Sequence, residues 1–316
     1  FLLPSVAYTF KQSKSATFMA SARTFATLPT NAMLQPVNNN LNPNSVYLGA
    51  PDLMPSYNIS GRGSYNLYKS TNNLYIYGYA QANYALNSFS PDIQFDNEGR
   101  QLLTYFNKDL FQSAHTGFSS SLPLIKQIIF VSPGFSYGIN NQIGRVNSIE
   151  NFTTRHQLEP EMGIYIDLDF MNINYEVGYD HSLRKNKTAF DDHFFNTTWK
   201  HELEMEAYLP WKMDLGFSLE YTKYRNLANT FNANPCILSA RITQHFGENR
   251  QWSVIAQVHD ILNQNQQISR YNGLNNIVDS RVNTIARYFQ LKLSYKFNSA
   301  YKKSKKTDED NLDTND

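Results

Sequence analysis

The sequence predicts an all-β protein, an antiparallel transmembrane β-barrel, and three observations carry that expectation. Arg281 to Phe297 alternates along its length. Ile285, Phe289, Leu291, Leu293, Tyr295 and Phe297 fall on one face, and Thr284, Ala286, Tyr288, Gln290, Lys292, Ser294 and Lys296 on the other, as a strand between lipid and water requires. The chain of 316 residues is 41% hydrophobic and 14% aromatic, yet its mean hydropathy is −0.50. It contains no apolar run of about 18 residues that could cross a membrane as a helix. Its 21 Tyr and 21 Phe are spread over many short segments, as girdles at two lipid interfaces would use them. Connections are of two unlike kinds. Lys11 to Ser15, Lys69 to Asn73, Pro123 to Ile125, Asp169 to Met171, Pro210 to Trp211 and Gly247 to Asn249 are short. Thr27 to Pro55, Ser88 to Phe106, Arg184 to His193 and Ile261 to Ser280 are long and polar. Short periplasmic turns opposite long extracellular loops give a barrel this asymmetry.

Taken in order, strands are expected at 1–10, 16–26, 56–68, 74–87, 107–122, 126–140, 152–167, 172–183, 194–209, 212–226, 234–247, 250–260 and 281–298, about thirteen in all. The apolar cluster Ile128 to Val131 is strand-length and bounded by Lys126 and Pro133. Alternation is clearest mid-chain. Leu158, Met162, Ile164, Ile166 and Leu168 face away from Glu159, Glu161 and Asp167, and Ile173, Tyr175, Val177 and Tyr179 away from Asn174, Glu176 and Asp180. Trp199, Leu203, Met205, Ala207 and Leu209 oppose Glu202, Glu204 and Glu206, and Met213, Leu215, Phe217, Leu219 and Tyr221 oppose Asp214, Ser218 and Glu220. A face that takes acids so freely must see water.

Net charge of +1 gives no electrostatic footprint for nucleic acid. The single cysteine, Cys236, excludes an intrachain disulfide framework. The opening FLLPSVAYTF shows no signal peptide, so the chain reads as mature or as a fragment. If short turns are periplasmic, both the first and the last strand run downward. A closed single-chain barrel has an even count and starts upward, so strands before Phe1 are expected to be missing.

Two segments go beyond the general pattern. Leu34 to Tyr57 contains Gly49, Ala50, Pro51, Asp52, Leu53, Met54, Pro55 and Ser56, which resembles the G-N-P-D-L-K-P-E loop of TonB-dependent receptor-like proteins. Asp260, Leu262, Asn263 and Asn265, followed by Arg270, Asp279, Arg281, Asn283, Arg287 and the closing Phe297, resemble the ending of the Bacteroidetes outer-membrane β-barrel family. Together with the strand rhythm, the resemblance covers nearly the whole chain. It implies that residues 1–298 are the C-terminal part of a 22-stranded barrel, strands ten to twenty-two, here partial and open. It also implies an outer-membrane location, contact with outer-membrane lipid and the barrel-assembly machinery, a plug domain upstream, and TonB acting through that plug. Ala50, Met54 and Ser56 depart from the family's Asn, Lys and Glu, so a polar clamp made by those family side chains is not expected here. Residues 299–316 add a basic and then acidic tail, expected to be disordered.

The function that follows is barrel wall and extracellular loops of a TonB-linked transporter for a nutrient or iron complex. The alternative is a complete small barrel with an adhesin or structural role; a barrel-embedded hydrolase ranks last, because no nucleophile lies beside a base. The chain is expected not to be an enzyme and to hold no metal or cofactor. His181 and His193 with Asp191 and Asp192 lack metal-ligand spacing, and the Glu202 and Glu159 series read as lumen wetting and pairing with the plug. Cys236 shares a face with Leu238, Ala240 and Ile242 and has no basic neighbour to activate it. Candidate ligand contacts are the loop aromatics Tyr105, Phe106, Phe194, Phe195 and Tyr271, whose rings suit stacking on a sugar or siderophore. Arg270, Asp279, Arg281 and Arg287 could touch a ligand or form the base of a salt-bridged loop, and the structural role is the favoured reading.

Overall fold

The computed structural model describes residues 2–37, 39–42, 44–125, 128–187, 192–226, 234–265, 267–272, 277–282 and 285–297. The outward faces of its strands are rich in exposed apolar side chains. Met162, Ile164, Leu215, Phe217, Ile242, Leu291 and Leu293 lie on one side of a curved sheet with no protein against them.

The strands are β1 (Ser5–Lys11), β2 (Ala16–Thr27), β3 (Asn39–Asn42), β4 (Ser45–Tyr47), β5 (Ser56–Lys69), β6 (Leu74–Phe95), β7 (Gln101–Ile125), β8 (Ile129–Val146) and β9 (Ile149–Leu168). They continue as β10 (Met171–Lys187), β11 (Asp192–Leu209), β12 (Met213–Asn226), β13 (Cys236–Phe246), β14 (Trp252–His259), β15 (Gln267–Asn272), β16 (Ile277–Val282) and β17 (Tyr288–Tyr295). One short helix, α1 (Asn31–Leu34), is capped by Thr30, whose hydroxyl accepts from the Met33 amide. Thirteen strands form the wall in the order β1, β2, β5 through β14, and β17. Each pairs antiparallel with the next in this order, so the expected meander is present, with β3–β4 and β15–β16 as excursions from it. Among the described residues β1 pairs only with β2 and β17 only with β14. The sheet is open, with two free edges.

Register carries the predicted alternation across the wall. Tyr175, Leu203 and Leu219 stand opposite one another on β10, β11 and β12, and so do Glu176, Glu202 and Glu220. Pleating then sends the first row outward and the second inward. Trp252, Tyr295 and Phe297 close the lower outward rim, with Tyr295 4.5 Å from each of the other two rings.

The upper ends differ from expectation. Ser88 to Phe106, expected as a loop, is strand: β6 and β7 run 22 and 25 residues to a tip at Asp96–Arg100, where about 9–11 residues suffice to span a membrane. β8 and β9 likewise extend to a two-residue turn at Asn147 and Ser148, whose φ of 49° and 65° are those of a type I′ hairpin. In these two hairpins the expected long loops are expressed as strand overhang. The last strand is also shorter than expected: residues 277–282 turn aside to pair with β15 in a separate ribbon, and the wall resumes only at Tyr288.

Above the membrane β6 and β7 exchange places. Low in the wall β7 lies beside β8, with Ser113 opposite Asn140. At the top β6 lies beside β8, with Asp92 opposite Arg145 and Ile93 opposite Val146, both parallel. The outer edge of β7 is then taken by β4, whose Ser45–Tyr47 pairs with Gln101–Leu103. The ribbon therefore makes a half turn between these levels. Register shifts at Asn83/Tyr84 and Ala85/Ser88, with Asn87 at φ 55°, absorb it as bulges do. Much of the buried apolar core collects here: Leu53, Ala85, Ile93, Leu110 and Ile143.

The tip is held by Asp96, whose carboxylate accepts from the Glu98 and Arg100 amides at 2.9 Å and from Arg100 Nε at 2.7 Å. The Arg100 side-chain hydrogen bond, followed by the backbone bonds, lowers the Asp96 pKa below 3.8. A depressed carboxyl pKa stabilises the tip above the unfolded value, and that contribution is lost as pH falls through the lower folded value. Carbon NMR of the Asp96 carboxyl should give a midpoint below 3.8; a midpoint at or above it would disprove the ion-paired tip.

Candidate functional site

Two surfaces carry chemistry: the inner wall and the outer mouth. On the inner wall Glu176, Glu202 and Glu220 are register partners, an arrangement of like charges that destabilises unless compensated. Lys200 supplies part of the compensation, pairing with Glu202 and lying 3.8 Å from Glu220. Nearer the lower rim Arg241 Nη2 reaches Glu206 at 2.5 Å and His245 Nε2 reaches Asp214 at 2.6 Å. Ser136 donates to Glu159 at 2.6 Å and Asn174 to Glu176 at 3.0 Å. The lining stays acidic after these pairings. Hollows break it, among them one of about 380 Å³ beside Glu204, Glu206 and Arg241 and one of about 360 Å³ beside Glu161, Glu176 and Lys200.

The carboxylates read as lumen wetting thus lie on one inner surface. The histidines divide between the faces, His245 lying inside against Asp214. His156 and His201 sit on the outward face, where Nδ1 of each meets a tyrosine hydroxyl, Tyr137 at 2.8 Å and Tyr175 at 2.9 Å. Each pair satisfies two polar groups against lipid. His181 bonds Thr197 and stacks on Tyr179, and Asp191 lies outside the described residues. Cys236 stands opposite Tyr221 on the outward face, in the row of Leu238, Ala240 and Ile242.

At the mouth the expected ligand aromatics lie on three separate strands. Tyr105 and Phe106 lie within β7, opposite Pro91 and Ser90. The Tyr105 ring is 6.0 Å from Tyr47, and the Arg145 guanidinium lies 4.0 Å over Phe106, a cation–π contact. Phe194 and Phe195 are consecutive on β11, so they point to opposite faces, Phe195 beside His181 at 6.2 Å. Tyr271 pairs with Val278 on the β15–β16 ribbon, as Arg270 does with Asp279 and Ile268 with Arg281; Asn283 lies outside the described residues.

The two motif segments form clamps. In the first, Ala50 N–H donates to Met33 O at 2.7 Å and Leu53 is buried, while Pro51 and Asp52 are exposed. Met54 N–H donates to Asn107 Oδ1 at 2.8 Å, and Asn107 Nδ2 returns a bond to Met54 O at 2.9 Å and another to Asn87 O at 2.8 Å. Because the clamp uses Met54 backbone atoms, the departure from Lys does not remove it. Ser56, one residue past Pro55, donates to Leu86 O at 3.2 Å. Asn107 and Asn87 carried no signal in the sequence, since an asparagine opposite a loop looks like any other. A Cβ added at Gly49 meets the Gln35 carbonyl oxygen and main chain. Gly49→Ala should therefore loosen this strap by about 1–3 kcal/mol, seen as faster proteolytic nicking between residues 28 and 55 in the folded barrel; an unchanged nicking rate would refute the tight fit.

In the second clamp Asp260 is fully buried and sits at φ 52°. Its carboxylate accepts from the Gln264 and Asn265 amides at 2.9 and 2.8 Å. Asn263 Oδ1 accepts from the Arg287 amide at 3.2 Å, Arg287 Nη1 reaches Ile261 O at 3.2 Å, and Asn265 Nδ2 reaches Ile285 O at 3.4 Å. Leu262 is exposed. The base of the last extracellular excursion is thereby tied to the entry of β17.

A wall wet inside and apolar outside has a counterpart among known families. The profile described as the outer membrane protein beta-barrel family matches residues 1–295. The chain belongs to this family. Its place is the bacterial outer membrane, with the outward face against lipid. No curated protein matches the chain. Among solved structures it is similar to the ferric yersiniabactin uptake receptor FyuA from Yersinia pestis, with a TM-score of 0.51 and 11% identity over 93% of this chain and 50% of that one. At that identity the likeness is one of fold. The chain spans about half the length of that receptor.

Proposed function

We propose that the chain is the C-terminal part of the wall and mouth of a TonB-dependent-receptor-like transporter that takes up a nutrient or iron complex. The open sheet carries this reading: thirteen staves with two free edges leave a place for further strands between β17 and β1. The similar receptor, about twice as long, shares the fold over half of its own length. The acidic inner surface is then a face for a plug domain and for water, and TonB acts through that plug. No reaction is catalysed by this wall.

The test is genetic and uses the full gene. A deletion strain grown under iron limitation and on single carbon sources should lose growth on at least one medium. Disabling TonB should reproduce that loss. Growth unchanged on every medium, or a defect that complementation restores without functional TonB, would overturn the reading.

A further inference from the structure

The half turn of the β6–β7 ribbon opens a cleft in the wall of the mouth. β8 pairs with β7 up to Asn140 and with β6 from Arg145 onward. Residues 141–144 between those points have no ladder partner on that side, although β9 covers the other. The hollow that fills the split holds about 430 Å³ and is lined from all three strands. That volume falls among small-molecule sites, about 300–1,000 Å³.

Its lining differs in kind from the two inner-wall hollows, which carry Glu, Lys or Arg. No ionisable side chain lines this one. Asn141 and Ser113 are already engaged, Asn141 by donating to Phe111 O at 2.9 Å and accepting from Thr154, Ser113 by accepting from Asn83. Ser88, Gln112, Asn140 and Gln142 make no side-chain hydrogen bond among the described residues. Phe89 adds an aromatic ring, and buried Leu110 and Ile143 add an apolar floor. The charges around it are outside its lining and engaged elsewhere: Asp92 and Arg145 are register partners on the β6–β8 bridge, Asp109 accepts from the Asn87 amide at 2.8 Å, and Arg155, opposite Asn140, donates to Ser182 at 3.0 Å.

Carboxamides and hydroxyls both donate and accept. An ion entering such a lining loses water without gaining a counter-charge. A ligand whose own groups also donate and accept, and which carries an apolar ring face, matches both the amides and Phe89. We infer that this cleft binds a neutral, hydroxyl-rich ligand of saccharide type, with Gln112 and Asn140 as its principal hydrogen-bonding residues. The assignment concerns capture at the mouth and stands apart from whether the barrel is driven by TonB.

The test uses the full-length protein in nanodiscs and saturation-transfer NMR. Probes are neutral glucan, mannan and galactan di- to tetrasaccharides, with hexuronate and hexosamine oligomers as charged controls. The host's own delipidated surface polysaccharide forms a separate arm. At least one neutral probe should bind, at least tenfold more tightly than the charged controls. Gln112→Ala and Asn140→Ala should each weaken it about tenfold, while Asn140→Gln retains part of it. Binding confined to the surface polysaccharide and sensitive to the same variants would support the site with the cell's own glycan as its source. Absence of binding in both arms, preference for a charged oligomer, or indifference to both alanine variants would overturn the inference. Variants are read only where the folded, heat-modifiable band matches wild type. A failed growth test with intact saccharide binding would sink the transport reading and leave this one standing.

Discussion

Leu203→Arg should destabilise the folded barrel by about 2–4 kcal/mol, the cost of a cation on the lipid face near the bilayer midplane. Leu203 stands six residues above Leu209 at the lower turn, opposite Tyr175 and Leu219, which places it about 15 Å along the membrane normal for a tilted strand. Arginine there can reach water only by thinning the bilayer or snorkelling past the Met205 row. The neighbouring Glu204→Arg makes the same side chain on the inner face, in water, between Glu202 and Glu206. It should change stability by less than about 1 kcal/mol. Urea unfolding of the full-length barrel in lipid vesicles, followed by tryptophan fluorescence, measures both. Equal costs at the two positions would mean that the faces have been assigned wrongly.

Asp260→Ala should cost about 3–5 kcal/mol. Two charge-assisted bonds to the Gln264 and Asn265 amides disappear, each worth about 1.5–3 kcal/mol, and their donors are left inside a turn. Alanine also tolerates the φ of 52° less well than aspartate. Asp260→Asn separates these effects. It keeps the left-handed backbone and one acceptor oxygen, so its loss should be about half as large. Hydrogen exchange at Gln264 and Asn265 should accelerate in both variants, more in the alanine one. Protection retained in Asp260→Ala would show that the turn is held by something other than this carboxylate.

Within the bilayer the wall was legible from the residues, because two solvents act on alternate side chains and the period of 2 follows from the pleat. All thirteen staves were expected near their observed places. Their upper ends were not. Above the membrane both faces of the ribbon meet water or other protein, and alternation dissolves in runs such as Leu102 to Phe106. The half turn rests on two parallel pairs, Asp92 with Arg145 and Ile93 with Val146, more than fifty residues apart in sequence, and no local pattern encodes such a contact. The closing segment was overextended for a related reason. Arg281 and Val282 continue the alternation of β17, but their partners are Ile268 and Gln267 rather than β14. Alternation reports a strand and says nothing of which strand it joins. The aromatic candidates Tyr105, Phe194 and Tyr271 belong to three different strands, a distribution that alternation within each segment does not reveal. The polar residues that line the cleft gave no signal, because amides and serines are common throughout the chain.

The zipper of β4, β7, β6 and β8 joins three extracellular excursions by backbone ladders instead of leaving them as separate flaps. A visitor to this side of the mouth meets a surface whose conformational entropy has already been spent in folding. Little of the association free energy then goes to ordering loops. Encounter rates should accordingly be set by diffusion and orientation, and differences among ligands should appear as residence times. On this side the mouth is a fixed mould.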